Sequence, residues 1–182
     1  MNDDAFRANL IGSIPPLRAF AISLTGNVDR ADDLVQETLL KAWANRESFE
    51  PGTKLKAWLF TILRNEFYTA FRKRRREVED ADGAIAANVG VRPEQDGHMD
   101  LTDMQHALGQ LPMDQREALL LVSASDMSYE EAAVICGVAV GTIKSRVNRA
   151  RARLAELLHL KEASDLGPAS DVKPALSTGS DD

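Results

Sequence analysis

The sequence offers few residues from which a covalent cross-link or a metal site could be built. Its 182 residues include one cysteine, Cys136, and three scattered histidines, His98, His106 and His159. A single cysteine excludes an internal disulfide, and this spacing does not match the ligands of a zinc site. Dinucleotide-binding, P-loop and catalytic-triad patterns are also missing. We therefore expect no metal, no cofactor and no catalytic site, and we expect Cys136 to pack as a small apolar residue.

Long apolar runs are missing as well. No stretch approaches the roughly 18 apolar residues that a membrane-spanning helix needs. The N-terminus carries Asp3 and Asp4 instead of the basic start of a signal peptide. The sequence thus predicts a cytoplasmic protein without a membrane segment.

Positive charge is in deficit, with a formal net charge of −6 and a sequence pI near 5.1. Such a balance argues against a protein that coats nucleic acid with its whole surface, so any such contact must come from local basic patches. Aromatic residues make up only 5%, whereas hydrophobic residues reach 44%. That content suffices for one domain or for two small ones with modest cores.

The segment from Ser128 to Leu154 has the pattern of a helix-turn-helix. Ser128 and Glu131 form a capping box, which predicts the start of a short helix. Gly137 should end that helix, because glycine readily adopts the positive φ of a tight turn. A second helix should begin near Val140. Its apolar residues recur 4, 3 and 4 positions apart and predict one packing face: Ile143, Val147, Ala150 and Leu154.

The opposite face of this second helix is basic. Five cations and no acid lie between Lys144 and Arg153. A merely solvated basic helix usually carries glutamates that pair one turn apart, and none occurs here. Lysine, arginine, serine and asparagine side chains reach base edges and phosphates in the major groove. We therefore predict a DNA-binding face that includes Lys144, Ser145, Arg146, Asn148 and Arg149.

Three further helices are predicted before this segment. Residues 5–25 have helical periodicity, but Pro15 and Pro16 should divide them into one helix ending near Ser13 and a second beginning at the prolines. Residues 29–43 form the third, whose outer face is acidic. That face carries Asp32, Asp33, Gln36 and Glu37. Taken alone it fits a solvated surface, with a protein-docking surface as the alternative.

A long aromatic helix should follow, starting near Thr53 as its cap and ending in the basic run 72–76. A basic helix end complements the helix dipole. Five consecutive cations exceed that need. Together with Trp58, Phe67 and Tyr68 they predict a stacking and phosphate-binding surface for nucleic acid, including single strands.

The composition then changes. Residues 77–100 are acidic and lack periodicity, which predicts a flexible linker with a reach of roughly 25 to 30 Å. A second helical block occupies 101–160, and the polar tail 161–182 should be disordered. The expected fold is all-α, with two small helical domains, 1–76 and 101–160, the second containing the helix-turn-helix.

Four segments in this order carry a family resemblance: LVQETLLKAW, LKAWLFTILRNEFYTAFRKRRR, LPMDQREALLL and SYEEAAVICGVAVGTIKSRVNRARARL. They resemble the extracytoplasmic-function (ECF) group of RNA polymerase sigma factors, in particular the EcfG type of the alphaproteobacterial general stress response. The resemblance covers residues 5–160, leaving the linker and tail unmatched. It departs at Asp126 and Met127, where many relatives have a glycine-containing turn, so we expect a different turn geometry there.

The resemblance implies a factor that binds core RNA polymerase, reads double-stranded and locally melted promoter DNA, and is controlled by an anti-sigma factor, without contact to a membrane. The implied polymerase-binding residues are Asp32, Asp33, Gln36 and Glu37. Those implied for the −10 element are Thr53, Lys54, Trp58, Asn65, Tyr68, Arg72, Arg74 and Arg75. Those implied for the −35 element are Thr142, Lys144, Ser145, Arg146, Asn148 and Arg149.

Two other functions compete with this one. A sigma-like decoy would bind the anti-sigma factor without binding DNA, but it would have no use for the two basic patches, and the receiver domain of such a regulator is missing. A stand-alone helix-turn-helix regulator would explain the C-terminal block but would leave residues 5–76 unassigned.

Overall fold

The computed structural model describes residues 3–50, 52–80 and 101–159. These residues form eight α-helices and one 3₁₀ turn, Arg46–Ser48. The helices are α1 (Asp3–Gly12), α2 (Ile14–Thr25), α3 (Val28–Ala44), α4 (Leu55–Asp80), α5 (Leu101–Gly109), α6 (Met113–Ser123), α7 (Tyr129–Cys136) and α8 (Val140–Leu157). The predicted all-α class is confirmed.

The predicted linker and tail fall largely outside this description. Helix α4 continues to Asp80, four residues beyond the domain end predicted at 76. Residues 81–100 and the predicted tail, 161–182, lie outside the described residues. No helix of the described ranges has the length and apolarity that a membrane span requires.

The break between the first two helices lies where the prolines predict it, and Gly26 and Asn27, which the sequence analysis did not single out, set the next limits. Prolines occupy the first turn of α2, directly after the break at Ser13. Gly26 then ends α2 in the left-handed conformation, with φ of 63°. Asn27 caps α3, because its side-chain oxygen accepts a hydrogen bond from the backbone N–H of Arg30 at 2.9 Å.

The start of α4 differs from the prediction. The helix begins at Leu55, and Thr53 does not cap it. The Thr53 hydroxyl instead donates to the backbone carbonyl of Glu50 at 2.7 Å, which closes the preceding turn. The prediction failed because a threonine hydroxyl can satisfy a local carbonyl as readily as a helix N-terminus.

Helices α2, α3 and α4 share an apolar core. Leu17, Phe60 and Leu63 are completely buried, and the rings of Phe20 and Phe60 lie 5.1 Å apart. Each large side chain buried in this way contributes about 1.5–3 kcal/mol. The aromatic content is low, but four of the rings form one cluster of Phe6, Trp43, Phe49 and Trp58.

The helix-turn-helix is confirmed by its geometry. The Ser128 hydroxyl accepts from the backbone N–H of Glu131 at 3.1 Å, and the Glu131 carboxylate accepts from the backbone N–H of Ser128 at 2.8 Å. Gly137 ends α7 with φ of 66°. The packing face predicted for α8 is buried throughout, at Ile143, Val147, Ala150 and Leu154. Cys136 is buried as expected.

The turn before α7 contains an unusual backbone conformation. Asp126 has φ of 55°, in the left-handed region that glycine adopts without strain. Aspartate is one of the few other residues that tolerate this conformation. An aspartate thus occupies the turn where the resemblance led us to expect a glycine.

The two halves of the chain pack against each other. Helix α4 lies along α7, and α2 contacts α5 and α6. Arg116 of α6 lies at the second contact and bonds mainly within its own half of the chain. Its guanidinium donates to the carbonyls of Gly109 at 2.7 Å and Leu111 at 3.1 Å, and more weakly to that of Ser23 in α2 at 3.4 Å. The sequence left this arrangement open.

Candidate nucleic-acid and protein interfaces

The outer face of α8 is open to solvent. Lys144, Asn148 and Arg149 are exposed, as is Thr142 at the start of the helix, whereas Ser145 is half-buried. The Lys144 ammonium lies 5.9 Å from the ring centroid of Tyr129, close enough for a weak cation–π contact. Five of the six residues assigned to the −35 element therefore share a surface that a DNA groove could reach.

Arg146, the sixth, is placed differently. Its side chain is only 20% exposed, and its Nε lies 3.1 Å from Oδ2 of Asp114 in α6. At about 100° per residue, Arg146 stands beside the buried stripe instead of opposite it. Arg146 therefore forms an ion pair that links α8 to α6.

The remaining cations of α8 also have partners. Arg151 donates to the hydroxyl of Ser123 at 3.4 Å, and Arg153 pairs with Glu156 at 2.8 Å. Among the described residues, Lys144 and Arg149 are thus the two cations of α8 with neither an ion pair nor a hydrogen bond. Their charge is available to an incoming phosphate or base.

The acidic face of α3 divides into two parts. Asp32 is bonded to the guanidinium of Arg18 through both oxygens, at 2.6 and 3.1 Å. The hydrogen bond from Arg18 lowers the pKa of Asp32. Asp33, Gln36 and Glu37 are exposed, and Glu37 lies 3.6 Å from the ammonium of Lys41. Asp32 therefore differs from the other three residues, because its carboxylate is already bonded to Arg18.

Sequence reasoning missed Leu40 on this face. Its side chain is 67% exposed, although the neighbouring Leu39 packs against the core. Leu40 follows Asp33 by seven residues and Gln36 by four, so the three share one side of α3. The available signal was its place on the helix, since Leu40 lies one turn after Gln36 and two turns after Asp33 on the polar side of α3. We call Asp33, Gln36, Glu37 and Leu40 the α3 stripe.

The residues assigned to the −10 element fall into two groups. Thr53 and Asn65 are exposed, and so are the arginines of the basic run at the far end of α4, Arg72, Arg74 and Arg75. Lys54 is also exposed but forms an ion pair, whereas Trp58 and Tyr68 are half-buried and make contacts inside the protein. The Trp58 ring lies 5.5 Å from Phe49 and 6.5 Å from Phe6, in an aromatic cluster.

Tyr68 and Lys54 contact the second half of the chain. The Tyr68 hydroxyl donates to Glu117 at 3.2 Å, and the guanidinium of Arg64 lies 4.6 Å from the Tyr68 ring centroid. Burial, together with the charge of Glu117, raises the pKa of Tyr68 to about 12. Lys54 pairs with Glu131 of α7 at 2.8 Å.

Glu117 and Arg64 are further residues that sequence reasoning missed. Glu117 is completely buried, and its Oε1 accepts from Arg64 Nε at 2.6 Å. Burial by itself would lower the pKa of Arg64, but the charge of Glu117 and the hydrogen bond to it raise this pKa overall. Glu117 directly precedes the apolar run that begins at Ala118, and it follows three polar residues, so nothing in the sequence indicated its burial. The chain offers no local sequence sign of its partners.

Comparison with protein families accounts for both halves of the chain. The sigma-70 region 2 family matches residues 12–77, and the sigma-70 region 4 family matches residues 101–154. The first match contains the α3 stripe and α4 up to residue 77. The second contains the helix-turn-helix.

Comparison with individual proteins extends these matches over nearly the whole chain. The chain is 59% identical over 173 residues to the ECF RNA polymerase sigma factor EcfG of Rhodopseudomonas palustris (strain TIE-1), covering 95% of this chain and 96% of that protein. Among solved structures, the sigma factor RpoE from Bartonella quintana, crystallised with the anti-sigma factor NepR, is 58% identical. That comparison has a TM-score of 0.79 and covers 87% of this chain and 99% of that one.

A more distant structure agrees. CnrH, solved in complex with the cytosolic domain of CnrY, is 28% identical with a TM-score of 0.66, covering 88% of this chain and 92% of that one. The near-complete coverage at 59% identity, with both sigma-70 regions in order, is decisive. The chain belongs to the family of ECF RNA polymerase sigma factors and is similar to EcfG.

Proposed function

We propose that the chain binds core RNA polymerase through the α3 stripe, opens and holds the −10 element with α4, and reads the −35 element with the outer face of α8. In this proposal residues 1–76 and 101–160 are the two functional domains. Both domains act by binding their partners, and neither catalyses a reaction. Because the proposed partners are core RNA polymerase and promoter DNA, the protein would act in the cytoplasm.

The observation that carries the proposal is that Lys144 and Arg149 are exposed and unpaired among the described residues. Both are exposed on a helix whose other face is entirely buried, and neither forms an ion pair with any described acid. A decoy that never touches DNA has no need of such cations. Exposed arginine and lysine on the outer face of a second helix suit base edges and phosphates in a major groove.

The α3 stripe supports the polymerase contact. It combines exposed carboxylates with an exposed leucine, and an interface core of one apolar residue within a polar rim is a common arrangement in protein complexes. Asp33 makes no ion pair with another described residue, so a basic partner surface could bind it without competition. Asp32 belongs to this proposal only indirectly, because Arg18 already occupies its carboxylate.

The polymerase contact is tested with one charge reversal and a matched control. Asp33→Lys should weaken binding to core polymerase and abolish promoter-dependent transcription, with helical content unchanged. Glu47→Lys makes the same change of charge at an exposed position outside the stripe and should behave like the parent chain. Normal initiation by the Asp33 variant would refute the docking assignment.

Control by an anti-sigma factor is also part of the proposal. Its support is the 58% identity to RpoE of Bartonella quintana, which was crystallised with NepR. For this chain, and for the general stress response, we propose a small inhibitory protein of the same kind. The tagged chain, purified from unstressed cells, should carry a small protein at near-equal stoichiometry. Recovery of core polymerase with no such protein would contradict this control.

A further inference from the structure

Phe49 and Arg46 attach the segment between α3 and α4 to the body of the first half. We call residues 45–50 and 52–54 the α3–α4 connection. Phe49 is half-buried, and its ring lies 5.5 Å from that of Trp58 in α4. The guanidinium of Arg46 lies 5.0 Å from the ring centroid of Trp43 and donates to the Trp43 carbonyl at 3.2 Å.

Helix α1 reaches both of these attachment points. Phe6 is only 4% exposed. Its ring lies within 6.5 Å of the three other rings of the aromatic cluster, those of Trp43, Phe49 and Trp58. One turn earlier on α1, the Asp3 carboxylate lies 3.5 Å from Nε of Arg46. One side of α1 therefore contacts both side chains that seat the connection.

The internal shape of the connection is set locally. Gly52 has φ of 100°, a conformation that glycine adopts without strain. The Ser48 hydroxyl donates to the carbonyl of Asn45 at 2.6 Å, and the Thr53 hydroxyl donates to that of Glu50 at 2.7 Å. These bonds close turns within the connection. The contacts with α1 instead determine where the connection lies against the body.

The position of the connection matters for the −10 element, because Thr53 and Lys54 lie in it and Trp58 lies directly after it. Groups that must first be ordered bind a strand more weakly than groups already in place, since binding then costs conformational entropy. We propose that α1 is a strap that holds the α3–α4 connection where a melted −10 strand can bind, with Phe6 and Asp3 as positioning residues. This role of α1 rests on the proposed function of α4.

The dimensions of α1 suit a strap. It has ten residues, of which Phe6 and Leu10 are buried. A helix of this length is not stable by itself in water, so it keeps its place through its packed side. Loss of the Phe6 ring should therefore loosen α1 and the connection together, while leaving the α3 stripe in place.

The first test compares two identical substitutions in the full chain. Phe6→Leu keeps an apolar side chain but removes the ring contacts of the cluster. Phe20→Leu is the matched control, because Phe20 is equally buried, at 2%, and its ring lies against Phe60 instead. Both variants lose a buried ring, so both should lose thermal stability. Only the first should lose the position of the connection.

Strand binding is measured on each variant after assembly with core polymerase. The probe is a single-stranded oligonucleotide with the non-template −10 sequence of a promoter that the parent chain transcribes. Phe6→Leu should weaken this binding by about two- to tenfold, the range expected for one aromatic pair. Phe20→Leu should match the parent chain. Neither variant should change the affinity for core polymerase or for a duplex that carries only the −35 element.

Tryptophan fluorescence reports the cluster without DNA. Trp43 and Trp58 are the two tryptophans of the sequence, and both belong to the cluster. Quenching of their fluorescence by acrylamide should increase in Phe6→Leu and should stay unchanged in Phe20→Leu.

A second variant covers the case in which Phe6→Leu fails to fold. Asp3→Asn removes the partner of Arg46 from a side chain that is 70% exposed, so the fold should tolerate it. Loss of a negative charge would by itself favour DNA binding, so weaker strand binding by this variant reports the lost contact. We expect a loss of about twofold, since an exposed ion pair contributes little. Asp4→Asn makes the same change one residue later in the first turn of α1 and should not weaken binding.

The outcomes separate the strap from the role of α4, which Asn65→Ala tests at an exposed position outside the cluster. Weaker strand binding with greater quenching, confined to Phe6→Leu, supports the strap. Weaker binding by Asn65→Ala alone would overturn the strap and leave the role of α4 intact. If none of the variants weakens strand binding, the role of α4 is wrong and the strap falls with it. Equal losses in Phe6→Leu and Phe20→Leu, or weaker binding without greater quenching, would also overturn the strap.

Discussion

Leu40→Ser tests the part of the polymerase interface that only the structure revealed. The side chain of Leu40 is 67% exposed in the free chain, so its removal leaves no cavity. Complete burial of a leucine contributes about 1.5–3 kcal/mol. Two-thirds of that area remains to be covered by a partner, which amounts to about 1–2 kcal/mol. At 1.4 kcal/mol per tenfold change, affinity for core polymerase should fall by about 5- to 30-fold.

The assay is competition between unlabelled variants and the labelled parent chain for core polymerase. Thermal unfolding of Leu40→Ser should stay within about 0.5 kcal/mol of the parent, as for other exposed positions. Ile11→Ser is the matched control, because Ile11 is another exposed aliphatic residue, 57% accessible, on α1. Equal affinity of Leu40→Ser and the parent chain would show that the α3 stripe is not buried by polymerase. An equal loss in both variants would show a nonspecific effect.

Four other predictions concern particular side chains. If Arg149 reads a base, Arg149→Ala should weaken binding to an upstream promoter duplex by about 1–3 kcal/mol without changing the stability of the fold. An equal loss of affinity on every DNA sequence, with a smaller dependence of affinity on salt, would instead make Arg149 a phosphate contact. Arg146→Ala should instead lower the melting temperature, because it breaks an ion pair between helices; a variant as stable as the parent would refute this. Asp126→Gly should raise the free energy of unfolding, measured by chemical denaturation, by up to about 1 kcal/mol, because glycine adopts the left-handed backbone conformation at this position without strain. A lower free energy of unfolding would contradict this explanation. Hydrogen bonds from Lys54 and from the start of α7 lower the pKa of Glu131, so their stabilisation is complete above about pH 4.5 and is lost as the pH falls through the lowered pKa. Lys54→Met should make stability less sensitive to acid between pH 6 and 3, roughly the range over which carboxylates titrate, and an unchanged pH profile would refute the role of this pair.

The sequence by itself determined the elements and the family. Helix limits at Ser13, Ser128 and Gly137 follow from proline, a capping side chain and glycine, which act within four residues of their own position. The buried stripe of α8 follows from the spacing of its apolar residues. These signals depend only on residues within a few positions of one another, so they predict helix limits and buried faces in the same way in any helical protein.

The sequence also determined which residue types face solvent, but less securely. It predicted an acidic face on α3 and a basic face on α8, and both exist. It did not separate Asp32 from Asp33 or Arg146 from Arg149, although in each pair one residue is paired and the other exposed. A charged residue beside a buried stripe finds its partner on another helix, and periodicity within one helix does not contain that information.

Only the tertiary structure decided the state of α4. From the sequence, Lys54 and Tyr68 belong with the exposed residues of a nucleic-acid surface. In the folded chain they bind Glu131 and Glu117, which lie 77 and 49 positions further along the sequence. Such long-range pairing depends on how two helical units pack, and the packing is decided by the shape and charge of whole surfaces. No periodicity within α4 contains this pairing, because it arises only when the two halves of the chain pack together.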